Sequence, residues 1–589
     1  MKKILLSITF ALMGITSGFA AKAYPGIVTV TQSDGTELNV RIYGDEHHSW
    51  YTTTDGALLV QIGKNFYVAQ VEDNGMLKAT PQLAHNAELR NKLENKAINT
   101  QNKQLFFNTA KTNAICRSIG ISNNYPYFPH TDTPKALVIL VEFQDCAFLT
   151  KDPVSVFNHL LNASPEDETP QVLLEDYNNN TNFTNTGSVK QYFSDMSEGE
   201  FQPQFDVKGV VKVSKNYAYY GQDQSENNRD IKYKEMIKEA CELAKSQLGV
   251  NFSEYDANND GNVDLVYVIH AGYGQNTGGE ENTLWAKTSF NYITTIDGKE
   301  ISAHGINSEL NFNKGNYITG IGVICHEFSH TMGIPDLYPY NSKAYVNNQE
   351  PESWDLMDAG EYGNNGYTPV PYCAWELDIM GWNAGIETLD KEPKQITMEP
   401  YFSGNRKAYK IEADNGEYLL LQNLQRTGWG KGYMSHGLLI YRIDYQRSNV
   451  GLDYRMNQTP NKPEVTVLPA DGVILNGYLN GKSHTKQEYY ESQWADPFPG
   501  YKQVTELLEA KLNNTTLTNL LYNIKETDDR VITFDYLKDY ATGIDQTLAD
   551  KDTEKNQSIF SLDGRYLGND ASKLTKGVYI IGKKKVVIR

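Results

Sequence analysis

The stretch Ile321-Gly-Val-Ile-Cys-His326-Glu327-Phe-Ser-His330-Thr-Met332 constrains this chain more than any other. It contains no proline and can therefore form a helix. Histidines at i and i+4 then lie on one face, a turn apart. Two neutral imidazoles so placed grip a zinc ion, and Glu327 between them reaches a metal-bound water as general base. Gly333 can end the helix in a left-handed turn, and Pro335 cannot continue it. That swings Asp336 back toward the metal. Three protein ligands with an open water position form the catalytic, as opposed to structural, zinc arrangement. The expectation is a centre of His326, His330 and Asp336 with Glu327 as catalytic residue. Glu352, Asp355 and Asp358 compete for the third ligand position. The bland alternative is a buried helix with solvated histidines, and it leaves both acids unexplained.

At 589 residues the chain exceeds a single core. Its 73 acidic against 54 basic side chains give a net charge of −19, which disfavours nucleic acid as a partner. Met1-Lys2-Lys3, an apolar run from Ile4 to Phe19, and small residues at Gly18, Ala20, Ala21 and Ala23 have the layout of an export signal over residues 1–23. No cysteine follows that run, and no later stretch approaches transmembrane length, so no integral membrane segment is expected once the signal is removed. Cysteines 116, 146, 241, 325 and 373 are too sparse for a disulfide framework, and their pairing stays open.

Short alternating runs such as Val28-Thr29-Val30-Thr31 and Phe66-Tyr67-Val68-Ala69, broken by Asp34-Gly35 and Asp55-Gly56, predict a small β-rich unit. A polar connector over 86–115 follows. Lys135 to Phe143 reads as a buried strand that opens a new domain. Asp230 to Leu248 has helical spacing, and Asp264 to His270 is another apolar strand. Beyond Glu387 strand-and-turn patterns predict a separate β domain to about 540, then a polar stretch and a last β-like segment. The fold class is α+β.

His326-Glu-Phe-Ser-His-Thr-Met-Gly-Ile-Pro-Asp336-Leu-Tyr338 resembles the active-site signature of the immune-inhibitor-A family of secreted metallopeptidases, relatives of the metzincins. The resemblance extends over Ser188 to Phe201, Asp260 to Gly274 and Ser353-Trp-Asp-Leu-Met357-Asp-Ala-Gly360. It implies a metzincin-like zinc protease domain (131–385) between an N-terminal β-rich pro-segment (24–130) and a C-terminal β domain (386–540). It also implies protein or peptide substrates, and Met357 in a turn that floors the metal site. The metzincin pattern usually has histidine as third ligand; Asp336 departs from it. Tyr338, Tyr362 and Tyr367 are candidates to hydrogen-bond the tetrahedral oxyanion.

Asp256-Ala-Asn258-Asn-Asp260-Gly261-Asn262-Val-Asp264 matches the first nine positions of a calcium loop, with glycine at position six. Tyr267 at position twelve excludes an EF-hand. Calcium held by Asp256, Asn258, Asp260, Asn262 and Asp264 is expected as a structural staple, against a polar Asx-rich turn. His270 and His304 lack partner spacing and read as ordinary. Latency has two candidate routes. Cys116 could act as a removable thiolate, and the resemblance offers ligation by the pro-segment's new N-terminal amine. Ser558 to Leu567 and Leu574 to Arg589 resemble the C-terminal sorting domain of the type IX secretion system, so 541–589 reads as a sorting segment that engages outer-membrane machinery. The chain is thus expected to be a secreted zinc endopeptidase, extracellular or at a bacterial cell surface, made as a latent precursor. The rival is an inactive surface adhesin on the same fold.

Overall fold

The computed structural model describes residues 18–45, 49–107, 127–166, 184–224, 229–311, 317–339, 350–445, 456–474, 486–540 and 558–588, apart from 563 and 582–583. The apolar run before residue 18, Cys116, and the polar stretch 541–557 lie outside the described residues.

The site is carried by a mixed sheet. Lys135–Glu142 pairs in parallel with Gln204–Lys212 on one side and Val266–Tyr273 on the other. His304–Asn311 continues the parallel run, and Lys287–Ser289 adds an antiparallel strand beyond it. Strand alternation decides where each side chain goes. Val138 and Leu140 enter a core with Phe157, Phe193 and Phe328, while Leu137, Ile139 and Val141 enter one with Met236, Ile237 and Ala240. Both faces of this strand are buried, which is why it reads as an unbroken apolar run. The helix Tyr233–Leu248 covers one face; Pro153–Asn162, Val189–Met196 and Gly322–Thr331 cover the other.

Ahead of this domain, six strands from Ile27–Thr31 to Leu77–Leu83 form an antiparallel meander in chain order. Its core of Leu38, Val40, Leu59 and Val68 also takes in Trp285, two residues before the strand Lys287–Ser289. After the domain, Tyr418–Leu424 and Gly437–Ile443 lie in a five-stranded sheet that packs on a four-stranded one. Leu419, Leu421, Leu438 and Ile440 fill the space between those sheets. Leu420, Leu439 and Tyr441, on the opposite face, join the core that holds Phe328 and Met357. The C-terminal sheets therefore share one continuous apolar interior with the sheet that carries the site. A last four-stranded sheet is built from Ile559–Ser561, Tyr566–Gly568, Gly577–Ile581 and Lys584–Ile588.

Among the described residues Cys146, Cys241, Cys325 and Cys373 are free thiols, and no helix is long and apolar enough to cross a membrane.

Candidate metal centre

Every residue of Gly322–Thr331 is buried. Ser329 Oγ donates to the Cys325 carbonyl at 2.6 Å, and Phe328 packs edge-on against Phe128 and Phe205. After Met332 the chain turns at Gly333 with φ +99°, a region open to glycine at little cost. The Ile334 amide reaches back to the Ser329 carbonyl, and Asp336 is brought under the two histidines.

His326 Nδ1 lies 2.9 Å from the Leu356 carbonyl and His330 Nδ1 lies 2.7 Å from the Ile334 carbonyl. A carbonyl only accepts, so each Nδ1 carries a proton and each Nε2 is left as the inward-facing atom. The two Nε2 atoms are 3.2 Å apart, and Asp336 Oδ1 is 3.1 Å from the first and 3.2 Å from the second. Three such atoms at one point require a positive charge among them. With protons alone, His326 supplies it: burial disfavours its charged form, but the carboxylates of Glu361, Asp336 and Glu327 outweigh burial and push it up to about 10. Burial likewise acts against the Asp336 carboxylate, but His330 and His326 hold it well below its ordinary value. A tetrahedral metal with ligands about 2.0–2.1 Å away separates its ligand atoms by about 3.3 Å. The observed triangle has those dimensions, so His326, His330 and Asp336 fit a divalent ion.

Leu356 and Met357, next along the chain from the acceptor of His326, are fully buried, and the Met357 carbonyl accepts the Leu337 amide. The turn is thereby stitched to the residue after Asp336. Glu361 is fully buried, 3.9 Å from His326 Nδ1, and burial raises its carboxyl well above the ordinary range.

The competing acids are placed elsewhere. Asp355 gathers with Cys373 and Glu376 in a second buried cluster, while Glu352 and Asp358 surround Lys22. Tyr367 donates to the Ile318 carbonyl, Tyr362 donates to the Lys22 carbonyl, and Tyr338 lies with its ring 5.5 Å from Lys22 Nζ.

Nothing in the sequence pattern warns that residues 18–24 enter this site. Gly18–Ala20 pairs antiparallel with Ser289–Lys287 at the sheet edge. The next residue, Ala21, is fully buried and donates its backbone N–H to Glu327 Oε1 at 2.6 Å. The Ala21 carbonyl accepts the Trp285 indole N–H at 2.7 Å. Lys22 Nζ lies 2.7 Å from Asp358, 3.2 Å from Glu350 and 3.7 Å from Glu352. Ala23 donates to the Gly44 carbonyl, and Tyr24 donates to that of Asn276. Ala21, Lys22 and Ala23, inside the stretch expected as an export signal, are thus buried against Glu327, Asp358 and Gly44. Small residues at 18, 20, 21 and 23 were the legible signal; their fit against a helix 300 residues later was not.

The calcium-like loop is closed on itself. Asp256 accepts the amides of Asp260 and Gly261, Asp260 accepts that of Asn262, Asp264 accepts that of Ala257, and Asn258 Nδ2 donates to Asp260. Lys299 Nζ sits 2.5 Å from Asp256. Unlike the histidine–aspartate triangle, the loop carboxylates do not converge among the described residues. His270 and His304 are buried with Nδ1 on the Ala271 and Ser302 carbonyls, and burial lowers both.

A helix-borne His-Glu-x-x-His pair, closed by a third ligand after a glycine turn and set beside a sheet edge, defines a metallopeptidase domain. Residues 123–378 match the family described as immune inhibitor A peptidase M6, catalytic domain. It is similar to the Pre-pro-metalloprotease PrtV of Vibrio cholerae serotype O1 (strain M66-2), with 23% identity over 302 residues covering 45% of this chain and 33% of the relative. It is also similar to Immune inhibitor A of Bacillus thuringiensis subsp. alesti, with 25% identity over 300 residues covering 44% of this chain and 42% of the relative. The chain thus spans about a third to two-fifths of the length of these relatives.

Removing the lysine that faces three buried carboxylates leaves them uncompensated, a change that costs about 3–5 kcal/mol when a buried pair is broken. Lys22→Met should lower stability by that order in urea denaturation at neutral pH. Burial raises Glu350 and Asp358, so in the variant these carboxyls take up protons in the folded state first as pH falls. The deficit should therefore narrow on acidification. A deficit under 1 kcal/mol at neutral pH, or one that widens in acid, contradicts the assigned contacts.

Proposed function

We propose that this chain is a secreted zinc endopeptidase made in latent form, with residues 24–130 as pro-segment, 131–385 catalytic and 386–540 a supporting β domain. The observation that supports it best is the triangle of His326, His330 and Asp336 beside Glu327, whose carboxylate already holds a peptide N–H. Zinc held by the triangle supplies Lewis-acid polarisation of the scissile carbonyl and a water acidified to near neutrality.

Glu327 accepts the proton of the attacking water and returns it to the leaving nitrogen. The Ala21 nitrogen marks where that leaving nitrogen sits. Burial, opposed by the charge of His326, pushes the Glu327 carboxyl up to about 8. Trp285 and Tyr362 donate to successive carbonyls of the segment in the cleft and would orient the departing half of a substrate in the same way.

Latency follows from occupancy. While residues 18–24 lie on the strand Lys287–Ser289 and across Glu327, a substrate can reach neither the sheet edge nor the base. Gly18 and Ala20 are small residues at the third and first positions before Ala21, the spacing of an export-signal cut. A cut there would move the start of the pro-segment from 24 to 21 and remove the strand Gly18–Ala20, with Ala21 and Lys22 still held at Glu327 and Tyr362. We read the tail from 541 as the sorting segment and the destination as the extracellular space or cell surface, on the sequence resemblance.

Glu327→Gln should lower casein hydrolysis at least a hundredfold while zinc content stays near one per chain. Asp336→Ala should weaken zinc affinity tenfold or more in competition with a chelating dye, with Glu352→Gln near wild type. Full hydrolysis by Glu327→Gln, or by the chelated parent, would refute the zinc and general-base assignments, and no hydrolysis by the processed parent would support the inactive-adhesin rival.

Calcium is proposed for the loop 256–264 with Lys299 displaced from Asp256. Millimolar calcium should then raise the melting temperature of the parent but not of Asp260→Ala. No calcium-dependent rise in the parent reduces the loop to a turn.

A further inference from the structure

We propose that the pocket now filled by Lys22 is a specificity subsite that selects a lysine or arginine side chain at the second residue beyond the cleaved bond. The proposal rests on the peptidase reading above and names its substrate class. The position follows from the backbone. The residue whose nitrogen sits on Glu327 is the first of the departing product, and Ala21 occupies that place. Lys22 is the next residue, with its carbonyl held by the Tyr362 hydroxyl at 2.6 Å.

The pocket is built for a cation. Its walls are Glu350, Glu352 and Asp358, all buried, and the Tyr338 ring 5.5 Å from Nζ. Carboxylates and an aromatic face together favour an ammonium or guanidinium over any neutral side chain. Its shape is also enforced. Glu352 has φ +53°, a left-handed conformation uncommon outside glycine, and its amide is held by Asp358 Oδ2 at 2.8 Å. Asp358 Oδ1 takes both Lys22 Nζ at 2.7 Å and the Ala359 amide at 2.8 Å. Glu350 takes Lys22 Nζ on Oε1 at 3.2 Å, and its Oε2 is buried. None of the three acids belongs to the metal triangle, yet all follow it in the chain within residues 350–358 and converge on Lys22. An anchor needed only to tether the pro-segment could use one exposed ion pair. Three buried carboxylates around a single position instead leave a strong unmet charge whenever Lys22 departs, and a basic residue of an incoming substrate meets it.

The test uses activated enzyme from culture medium and a peptide series that varies only the second residue after the cut: lysine, arginine, norleucine or glutamate. The lysine and arginine peptides should be cleaved with kcat/KM at least tenfold above norleucine, and glutamate should be poorest. Glu350→Gln should pull the lysine-to-norleucine ratio toward one. Because Asp358 also caps backbone amides and its variants are prone to misfold, Glu350→Gln is the variant of choice. Equal rates for lysine and norleucine by the parent enzyme overturn the proposal and leave the peptidase reading intact. A separate binding arm uses Glu327→Gln, with the tetrapeptide Ala-Lys-Ala-Tyr competing against Ala-norleucine-Ala-Tyr. Preferential binding of the lysine form, with no cleavage of any peptide by the parent enzyme, would retain the pocket and refute the peptidase reading.

Discussion

The structure of the site depends on two backbone carbonyls. Leu356 and Ile334 each accept the Nδ1 proton of a histidine, and that fixes which nitrogen faces inward. Without those acceptors the imidazoles could rotate or exchange tautomers, and the triangle with Asp336 would lose its shape. Both carbonyls lie on turns that follow the helix, so the chain after His330 is as necessary to the metal centre as the motif itself. Gly333 sets one turn. The other carries Met357 and is tied to Leu337 beside Asp336.

Around the triangle the domain buries an uncommon number of acids: Glu327, Glu350, Glu352, Asp355, Asp358, Glu361 and Glu376. Burying a carboxylate is expensive unless it is paired or neutralised. Each group here has a distinct remedy. Asp336 meets two imidazoles; Glu350, Glu352 and Asp358 share Lys22; Asp355 and Glu376 face each other beside Cys373. Glu327 receives an amide from Ala21, and Glu361 is pushed toward its neutral form by burial. Two of these remedies come from residues 18–24. That short segment contributes charge balance as well as steric cover to the buried acids around the triangle.

What the sequence disclosed was local. A histidine pair at i and i+4, a glycine and proline behind it, and an acid six residues on lie within sixteen residues, so spacing alone predicts their meeting in space. The apolar run at 135–143 and the helical spacing at 230–248 were legible for the same reason, and the observed elements are Lys135–Glu142 and Tyr233–Leu248. The contacts that escaped are long-range. Lys22 meets Glu350 across 328 positions and Ala21 meets Glu327 across 306, and no periodicity records such pairs. Small alanines before a polar connector also satisfy an export signal, which masked their second role as a strand and cleft filler. The calcium-like loop shows the converse difficulty. Its acidic pattern was plain, but the lysine that pairs with Asp256 comes from a hairpin 43 residues away. The strand-and-turn pattern beyond Glu387 was legible, but not that Leu420, Leu439 and Tyr441 pack with Phe328 and Met357 while Leu419, Leu421 and Leu438 fill a second interior, because a strand's two faces can serve two cores.

If the segment across Glu327 is a built-in occupant of a working peptidase cleft, its removal must release activity that the folded domain already possesses. The direct measurement is the hydrolysis rate of one fluorogenic peptide by the purified precursor, with its amino terminus sequenced, and by the same preparation after the connector is cut and residues 21–24 are dissociated. The account predicts a rise of about a hundredfold or more, abolished by Glu327→Gln. A precursor that retains residues 21–24 and cleaves as fast as the processed form would contradict it.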